Sequence, residues 1–399
     1  MKIKILQLFL FILLFIGHLN SSDFKTYNIL FIDISNDKRY TEWGIHPVDI
    51  RSNLKKEKRP LEGAKLAIED TKRIERITKT KFFLEHKRLD NYLAVITYLH
   101  NIKNTDYDAI LLDIKINDIN NMKKILEKKE NILFFNISDP NNKIRTNMCL
   151  KNFFNTFPSN LMLTDSLAQY LVKKKWNKTL LLTGPLKEDK EYSDAFKKSA
   201  KKFGVKVVGE NFFVNNNDPR VRDKNNLSYL TKGRKYKSVL VSDVDGEFSL
   251  SVPNATMAPS IVIGSSGLKA HAWHWSYLRH GAPQLNGRFE RLNNRRMESA
   301  DWAAWIAIKS ISESIMRVQS NENNKIFDYL KSNNLQIDGS KGISLNFRSS
   351  TNQLRQTILL TSSNNWVTAK VPLQEFQNSD NNLDTIGISI KDTKCVGGD

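Results

Sequence analysis

The chain has 399 residues, of which 40% are apolar and 10% aromatic, and its formal net charge is +19 at pH 7. This length predicts two or three domains, and the apolar fraction excludes an intrinsically disordered protein. The positive charge is compatible with nucleic acid or an anionic membrane surface as partner. Lys and Arg are, however, spread along the whole chain without a nucleic-acid motif or a compact basic block. We therefore expect a Lys-rich surface of compositional origin and no nucleic-acid partner.

The N-terminus, MKIKILQLFLFILLFIG, has two lysines followed by an almost unbroken apolar run from Ile5 to Gly17. This run is shorter than the roughly 20 residues that a membrane-spanning helix needs. A basic start, a short apolar stretch and then Ser21 and Ser22 are typical of a cleavable secretory signal peptide. We expect residues 1–22 to be this signal peptide and the mature protein to lie in the periplasm.

Up to residue 155 the chain alternates apolar and amphipathic segments. Apolar runs predict strands at 27–34, 81–89, 107–114 and 131–138, and the segments between them predict helices at 60–74, 91–102 and 119–129. Short apolar strands that alternate with helices form a parallel sheet covered by helices on both faces. This part of the chain therefore predicts one doubly wound α/β unit.

The same alternation restarts after residue 155. Helices are predicted at 158–176, with Ser159 as N-cap, and at 190–204, where Gly204 ends the helix. Strands are predicted at 177–184, 205–214, 236–243 and 260–267, and a long apolar helix at 297–317. Residues 341–371 alternate and are rich in turn residues, which predicts an antiparallel hairpin.

Two such units of similar size predict two lobes with a cleft between the carboxyl ends of their strands, where ligands bind in sheets of this kind. We expect residues 23–155 to form lobe 1, with about 275–335 returning to it. Residues 156–274 form lobe 2 in this prediction, with about 336–399 returning to it.

The two cysteines, Cys149 and Cys395, lie far apart in sequence. In a secreted chain two cysteines favour a disulfide, which here would tie the C-terminal tail to the middle of the chain. Two free thiols are the alternative.

Catalytic signatures are missing from the sequence. GPLKEDKEY lacks the spacing of a phosphate-binding loop, VIGSSG is not a nucleophile elbow, and no C-x-x-C or H-E-x-x-H motif occurs. We predict no enzymatic activity, no cofactor and no metal site.

Polar residues after the strands are candidate ligand contacts. Ser138 and Asp139 end the fourth strand and reach the predicted cleft, although Asp139 is also suited to a turn before Pro140. Asp243 and Glu247 lie in DVDGE after another strand, where the alternatives are a cation site and a polar loop that turns at a glycine. We also assign Trp43 and Tyr192 to the ligand-binding set.

Three of the seven histidines lie in HAWHWSYLRH, residues 271–280. His271 and His274 share a face only in a helix, and the stretch contains no acidic residue, so a zinc site is not expected. Trp273 and His274 at a cleft mouth are suited to stacking on a small ligand or hydrogen-bonding it. The alternative is a helix whose aromatic side chains pack on the lobe.

Several sequence blocks resemble the type I periplasmic binding proteins of ABC transporters. More narrowly, they are similar to the substrate-binding proteins associated with alcohol dehydrogenases that depend on pyrroloquinoline quinone (PQQ). The blocks are Leu167–Pro185, Ala195–Glu210, Ala272–Phe289, Asp301–Glu313, Leu354–Leu360 and Asn381–Ile388.

This resemblance implies a non-enzymatic protein with two doubly wound lobes that close on a small molecule by a hinge motion. The implied partners are an ABC permease in the inner membrane and a PQQ-dependent alcohol dehydrogenase or cytochrome system. An accessory or sensory role in the dehydrogenase system, without transport, is the alternative. Hinge crossings are expected near Phe154–Ser159, after Gly267 and before Gly339. Because an ionised Asp139 repels a carboxylate, a free amino acid is not expected as the main ligand.

Overall fold

The computed structural model describes residues 24–40, 58–214, 219–233, 235–377 and 381–395. The predicted signal peptide, residues 1–22, and the candidate ligand residue Trp43 lie outside these ranges. Among the described helices, none is long and apolar enough to cross a membrane.

The first sheet has five parallel strands in the order β2-β1-β3-β4-β5. These strands are β1 (Lys25–Ile34), β2 (Thr80–Leu89), β3 (Ala109–Asp113), β4 (Leu133–Asn136) and β5 (Phe153–Asn155). The helices between them are α1 (Leu61–Thr71), α2 (Glu75–Thr78), α3 (Tyr92–Asn101), α4 (Ile119–Leu126) and α5 (Asn142–Asn147). We call this sheet and the helices packed on it lobe 1.

The interior strand β1 is buried on both faces because helices cover both sides of the sheet. Its alternate residues Ile29 and Phe31 belong to one apolar cluster, and Leu30 and Ile32 belong to a second cluster on the other face. A strand buried on both faces has a continuous apolar sequence, which is why the run at 27–34 was predictable.

The second sheet has four parallel strands in the order β7-β6-β8-β9. They are β6 (Lys178–Thr183), β7 (Lys206–Phe212), β8 (Ser238–Ser242) and β9 (Ile261–Gly264), with helices α6 (Asn160–Lys173), α7 (Lys187–Phe203) and α8 (Leu227–Leu230). We call this sheet and its helices lobe 2. Both predicted caps are confirmed: Oγ of Ser159 accepts a hydrogen bond from the amide of Met162 at 3.2 Å, and Gly204 ends α7 with φ 78°.

The rest of the chain packs on both lobes. It contains strands β10 (Lys269–His271), β11 (Ile337–Asp338), β12 (Ser344–Leu345), β13 (Ile358–Thr361) and β14 (Val367–Val371), and helices α9 (Ala282–Asn293), α10 (Ser299–Val318) and α11 (Asn323–Lys331). Short 3-10 helices lie at Pro219–Asn225, Phe248–Leu250, Val252–Asn254, Gln374–Phe376, Asn382–Thr385 and Ile390–Asp392.

The long helix α10 packs on lobe 1 and the small antiparallel sheet β10-β13-β14 packs on lobe 2. α10 lies so close to α1 that a Cβ atom on Gly63 would be 2.1 Å from the carbonyl oxygen of Asp301. Strands β13 and β14 form the predicted antiparallel hairpin, and both contact α6.

Three segments connect the lobes. The first joins β5 to α6, the second joins β10 to α9, and the third lies between β12 and β13, later than the expected position before Gly339. The buried Arg145 links the first and third segments: its Nε donates to Oε1 of Gln353 at 2.9 Å, and its Nη2 donates to the carbonyl of Phe157 at 2.7 Å. Burial lowers the pKa of Arg145 to about 10.

The expected disulfide between Cys149 and Cys395 is present and joins residues 246 positions apart. The segment that leads to Cys395 first packs on lobe 2, where the amide of Gly387 donates to Asp165 of α6 at 2.8 Å. Because Cys149 lies between α5 and β5, the tail runs from lobe 2 to a covalent attachment on lobe 1.

Candidate functional site

The carboxyl edge of the first sheet carries a buried aspartate, Asp33, near the end of strand β1. Asp33 accepts hydrogen bonds from Arg59 at 3.0 Å and from Nε and Nη2 of Arg88 at 2.9 Å each, and His86 lies 3.1 Å away. Burial alone would raise the pKa of Asp33, but the hydrogen bonds from Arg88 and His86 lower it below its ordinary value. Asp33 therefore stays ionised and is neutralised by its partners.

A second buried aspartate, Asp113, ends the neighbouring strand β3. Its Oδ1 accepts from the hydroxyl of Tyr40 at 2.8 Å and from Arg39 at 3.2 Å. The guanidinium groups of Arg39 and Arg59 both lie over the Tyr40 ring, 4.9 and 4.8 Å from its centroid. Burial raises the pKa of Asp113, and Arg39, Ser138 and Tyr40 oppose the rise. The carboxyl edge of lobe 1 is thus one connected network of arginine and aspartate side chains.

Ser138 and Asp139, both predicted ligand contacts, follow β4 at the same edge. Oγ of Ser138 is buried without a hydrogen bond of regular geometry to any described residue. Both carboxylate oxygens of Asp139 accept from backbone amides, of Ile116 at 2.8 Å and of Asn141 at 2.9 Å. The turn alternative thus accounts for Asp139. These neutral amides favour the ionised form of Asp139 and leave its charge in place, while the buried Arg145 interacts with it electrostatically. That a free amino acid is not the main ligand stays a prediction.

The carboxyl edge of the second sheet is organised by Asp189, which is fully buried in the first turn of α7. Its carboxylate accepts from the amides of Val244 at 2.7 Å and Leu186 at 3.1 Å. Burial raises the pKa of Asp189 to about 6, and the nearby Asp243 and Asp245 add to the rise. Asp189 was not predicted from the sequence; its place as the third residue of a helix that follows a strand is the available signal.

The predicted ligand residue Asp243 directly follows β8. Its Oδ2 accepts from the amide of Ser249 at 2.8 Å, while its Oδ1 is buried without a partner among the described residues. Burial raises the pKa of Asp243. Oγ of Ser266, just past β9, is likewise buried without a hydrogen-bond partner among the described residues. The adjacent Glu247 is exposed.

Cation binding at DVDGE has no support from the geometry. Within the ranges that the structure describes, no group of three or more His, Cys, Asp or Glu side chains is arranged to hold a metal ion. The loop is instead held by backbone amides and turns at Gly246, which has φ 80°.

An ion pair joins the two carboxyl edges. Nζ of Lys115, two residues after β3, lies 2.8 Å from Oε1 of Glu188 in the first turn of α7. Both side chains remain partly exposed, at 34% and 41%. Partial burial alone would raise the pKa of Glu188, but the hydrogen bond from Lys115 lowers it below its ordinary value. This contact shows that the carboxyl ends of the two sheets face each other, as predicted for a cleft.

The stretch 271–280 is the end of β10 followed by turns, so the helical alternative is wrong. Trp273 is 1% exposed, stacks on Trp302 with ring centroids 6.2 Å apart, and donates from Nε1 to Asn286 at 2.9 Å. Packing thus accounts for Trp273. His274 is buried with its Nδ1 2.8 Å from Oγ of Ser276.

Tyr192, also assigned to the ligand-binding set, packs against the apolar core of lobe 2 that includes Met162 and Phe196. Burial raises the pKa of its hydroxyl. Its ring is therefore part of the support for α7.

Two open cavities lie on single lobes. One, of about 570 Å³, lies at the carboxyl ends of β6 and β7 and is lined by Thr183, Gly184, Lys190 and Glu210 among others. The other, of about 630 Å³, lies beside β2 and α3 and includes Glu85. The first has a volume in the range of small-molecule sites and borders the facing edges of the lobes.

Comparison with known proteins identifies the fold. No family model and no curated protein matches the chain. Among solved structures, a periplasmic binding protein from Burkholderia mallei matches with TM-score 0.65 at 12% identity, over 94% of this chain and 100% of that one. An ABC transporter substrate-binding protein from Sphaerobacter thermophilus matches with TM-score 0.67 at 13% identity, over 87% and 98%.

Ligand-bound structures are among the matches. The branched-chain amino acid transporter substrate-binding protein LivJ from Streptococcus pneumoniae, in complex with isoleucine, has TM-score 0.62 at 12% identity over 87% of this chain and 99% of that one. At such identities the likeness concerns the fold, and it agrees with two parallel sheets whose carboxyl edges face each other. The chain therefore has the periplasmic binding protein type I fold.

Proposed function

We propose that this protein is a periplasmic solute-binding protein that captures a small molecule between its two lobes for an ABC transporter. The observation that carries the proposal is the facing of the two carboxyl edges, which Lys115 and Glu188 bridge at 2.8 Å. Ligands of open α/β sheets bind outside the carboxyl ends of the strands, and two facing edges enclose a ligand from both sides.

In this proposal the lobes move as rigid bodies about the connecting segments, and closure buries the ligand. Residues 23–155 act as one body together with about 275–335 and with strands β11 and β12, which pack on the same core. Residues 156–274 act as the other body together with the chain from β13 onward. The hydrogen bonds of Arg145 to both Phe157 and Gln353 keep two connecting segments together during the motion.

Ser138 on lobe 1 and Asp243 on lobe 2 are the first candidates for ligand contacts. Each has a buried oxygen without a hydrogen bond of regular geometry to a described residue, and buried polar atoms are normally hydrogen-bonded. Glu247 and His274 remain candidates at the rim, and Trp43 remains one outside the described residues.

A small carboxylate is the ligand class that we propose. The neighbouring structures include one with isoleucine and one with benzoate, from R. palustris, at 12% and 11% identity. Lobe 1 of this chain presents Lys115 together with its arginine network at the edge, and the positive charge of the buried Arg145 offsets part of the negative charge of Asp139.

Titration calorimetry with branched-chain amino acids, benzoate and short aliphatic acids tests the proposal. We expect micromolar or tighter binding of at least one of them, and an at least tenfold loss of affinity in Ser138→Ala with an unchanged melting temperature. Ser363→Ala, at an exposed serine on the β13–β14 turn, is the matched control and should bind normally. No binding by any compound, together with native mass spectra of periplasmic protein that show no bound molecule, would refute the proposal.

The sequence blocks that resemble the PQQ-associated subfamily extend this proposal to a link with PQQ-dependent alcohol oxidation, with a dehydrogenase or cytochrome system as functional partner. Permease and ATPase genes beside the gene for this chain support transport. Dehydrogenase and cytochrome genes without them favour the accessory or sensory role.

A further inference from the structure

The amino ends of the second sheet form a cluster of lysines on the side of lobe 2 opposite the cleft. Strands β6 and β7 begin with Lys178 and Lys206, which are register partners. The amide of Lys237, one residue before β8, donates to the carbonyl of Lys178 at 2.8 Å. The three side chains therefore lie on adjacent strands at one edge.

Further lysines enter the same edge from the helix ends and loops that lead into these strands. We call the whole set the distal lysine edge; all members are exposed, and they are Lys174, Lys175, Lys178, Lys201, Lys206, Lys232, Lys235 and Lys237. The sequence separates them into three short segments, 174–178, 201–206 and 232–237, which come together only in the sheet.

None of these eight lysines forms an ion pair with a residue that the structure describes. The neighbouring carboxylates belong to other lysines: Glu375 lies 2.7 Å from Lys173, and Asp165 lies 2.8 Å from Lys202. Like charges held at one edge without counter-charges repel each other, which disfavours the folded state unless an external anion neutralises them.

A Lys-rich composition does not by itself explain the distal lysine edge, because the amino ends of the strands in lobe 1 carry both basic and acidic residues. The segments that enter the strands of lobe 1 carry both signs, with Lys25, Lys79, Lys103, Lys128 and Lys129 beside Asp106, Asp108, Glu127 and Glu130. In lobe 2 the acids lie at the opposite edge, where Glu188, Asp189 and Asp243 face the cleft. In lobe 2 the amino edge is therefore purely basic, whereas the carboxyl edge carries these acids together with Lys187 and Lys190.

We propose that the distal lysine edge docks on the anionic phospholipid headgroups of a membrane. Lysine presents a point charge on a flexible stem, which suits a diffuse layer of lipid phosphates and not the planar, bidentate recognition that arginine provides. Trp176 lies between Lys175 and Asn177, partly exposed and edge-on to Tyr170, and aromatic residues of this kind sit at the level of headgroups. Docking by this edge leaves the cleft facing away from the bilayer surface.

This inference goes beyond solute capture and needs from the proposed function only the location outside the cytoplasm. Each lysine near an anionic surface contributes a factor of about five to binding. The edge is expected to give a reversible association that is strong at low salt and weak at high salt.

Co-sedimentation of the purified chain with vesicles tests this surface. The probes are vesicles of phosphatidylcholine with 30% phosphatidylglycerol and vesicles of pure phosphatidylcholine. The variant Lys178→Gln/Lys206→Gln/Lys235→Gln/Lys237→Gln should bind the anionic vesicles at least about tenfold more weakly than the unchanged chain. The matched control, Lys25→Gln/Lys79→Gln/Lys103→Gln/Lys128→Gln, removes the same charge from lobe 1 and should stay within about twofold. Circular dichroism melting verifies that both variants are folded.

An equal loss in both variants would show that net charge alone drives binding and would overturn the proposal. Equal binding to vesicles without phosphatidylglycerol, or tighter binding to duplex DNA than to anionic vesicles at the same salt, would also overturn it. Ligand titration in solution is independent of this edge, so failure of either proposal can be told apart from failure of the other.

Discussion

The two lobes place carboxylates at corresponding edges of their sheets but stabilise them by different partners. In lobe 1, Asp33 and Asp113 are paired with arginines that come from loops and from the neighbouring strand. In lobe 2, Asp189 and Asp243 accept hydrogen bonds from backbone amides, and no ion pair to either is formed by the described residues.

This difference determines which of the buried aspartates changes its charge with pH. The pKa of Asp33 is lowered by its hydrogen bonds to Arg88 and His86 despite burial, so its charge does not change between pH 5 and 8. The pKa of Asp189 is raised to about 6 by burial and by Asp243 and Asp245, so its charge changes within this interval. The charge of Asp189 in lobe 2 therefore responds to pH in this interval, whereas the charge of Asp33 in lobe 1 does not.

Asp33→Asn is the change with the largest expected effect, because it leaves Arg59 and Arg88 without their carboxylate. Since Arg88 is 44% exposed and regains water, we expect a loss of about 2–3 kcal/mol in the free energy of unfolding at pH 7. Because the pKa of Asp33 is lower in the folded protein, the ionised carboxylate stabilises the folded state at pH values above its ordinary pKa of about 3.9. This contribution is lost as the pH falls through the folded-state pKa. Urea titrations at several pH values should show the difference between the two proteins shrinking below about pH 4.

Glu62→Gln is the control for this experiment, since Glu62 forms a helix-surface pair with Lys65. It should change stability by less than about 0.5 kcal/mol. A loss from Asp33→Asn that stays constant down to pH 3 would contradict the ion-pair explanation and assign the effect to packing.

Asp189→Asn sharpens the comparison from the side of lobe 2. A folded-state pKa raised to about 6 means that, between about pH 4 and 6, the folded protein holds a proton that the unfolded chain lacks. Stability from this group therefore falls as the pH rises through this window and levels off above it. The variant should lose this slope, and its melting temperature relative to the unchanged protein should rise between pH 4.5 and 7. Parallel melting curves at all pH values would contradict the raised pKa.

The fold was predictable because its central strands are buried on both faces and read as continuous apolar runs. The caps at Ser159 and Gly204 were predictable because the responsible contacts are local. The helices α9 and α11 were missed: α9 contains Pro283 and Gly287 and few apolar residues, so its periodicity is weak.

The site was less predictable because its partners are distant in sequence. Asp33 meets Arg88 only through the register of β1 with β2, and Lys115 meets Glu188 only when the two sheets face each other. A tryptophan in an aromatic stretch suits both a ligand and a core, and the stacking of Trp273 on Trp302 depends on a helix 29 positions later. The residues next to Trp273 in the sequence therefore do not distinguish a ligand contact from packing in the core.

Reversal of the interlobe ion pair has the smallest expected effect and tests the facing of the two edges directly. Because both side chains are partly exposed, Lys115 and Glu188 contribute about 0.2–1 kcal/mol to closure, and salt screens the attraction. Lys115→Glu or Glu188→Lys places like charges opposite each other, so small-angle scattering at low salt should show a larger radius of gyration. The double reversal restores the opposite charges and should restore the radius. The same exchange at Lys65 and Glu62, within α1 of one lobe, should leave it unchanged. If the double reversal has the same enlarged radius of gyration as the single variants, contacts other than this ion pair hold the two edges together. The pair would then form as a result of that approach and would not stabilise it.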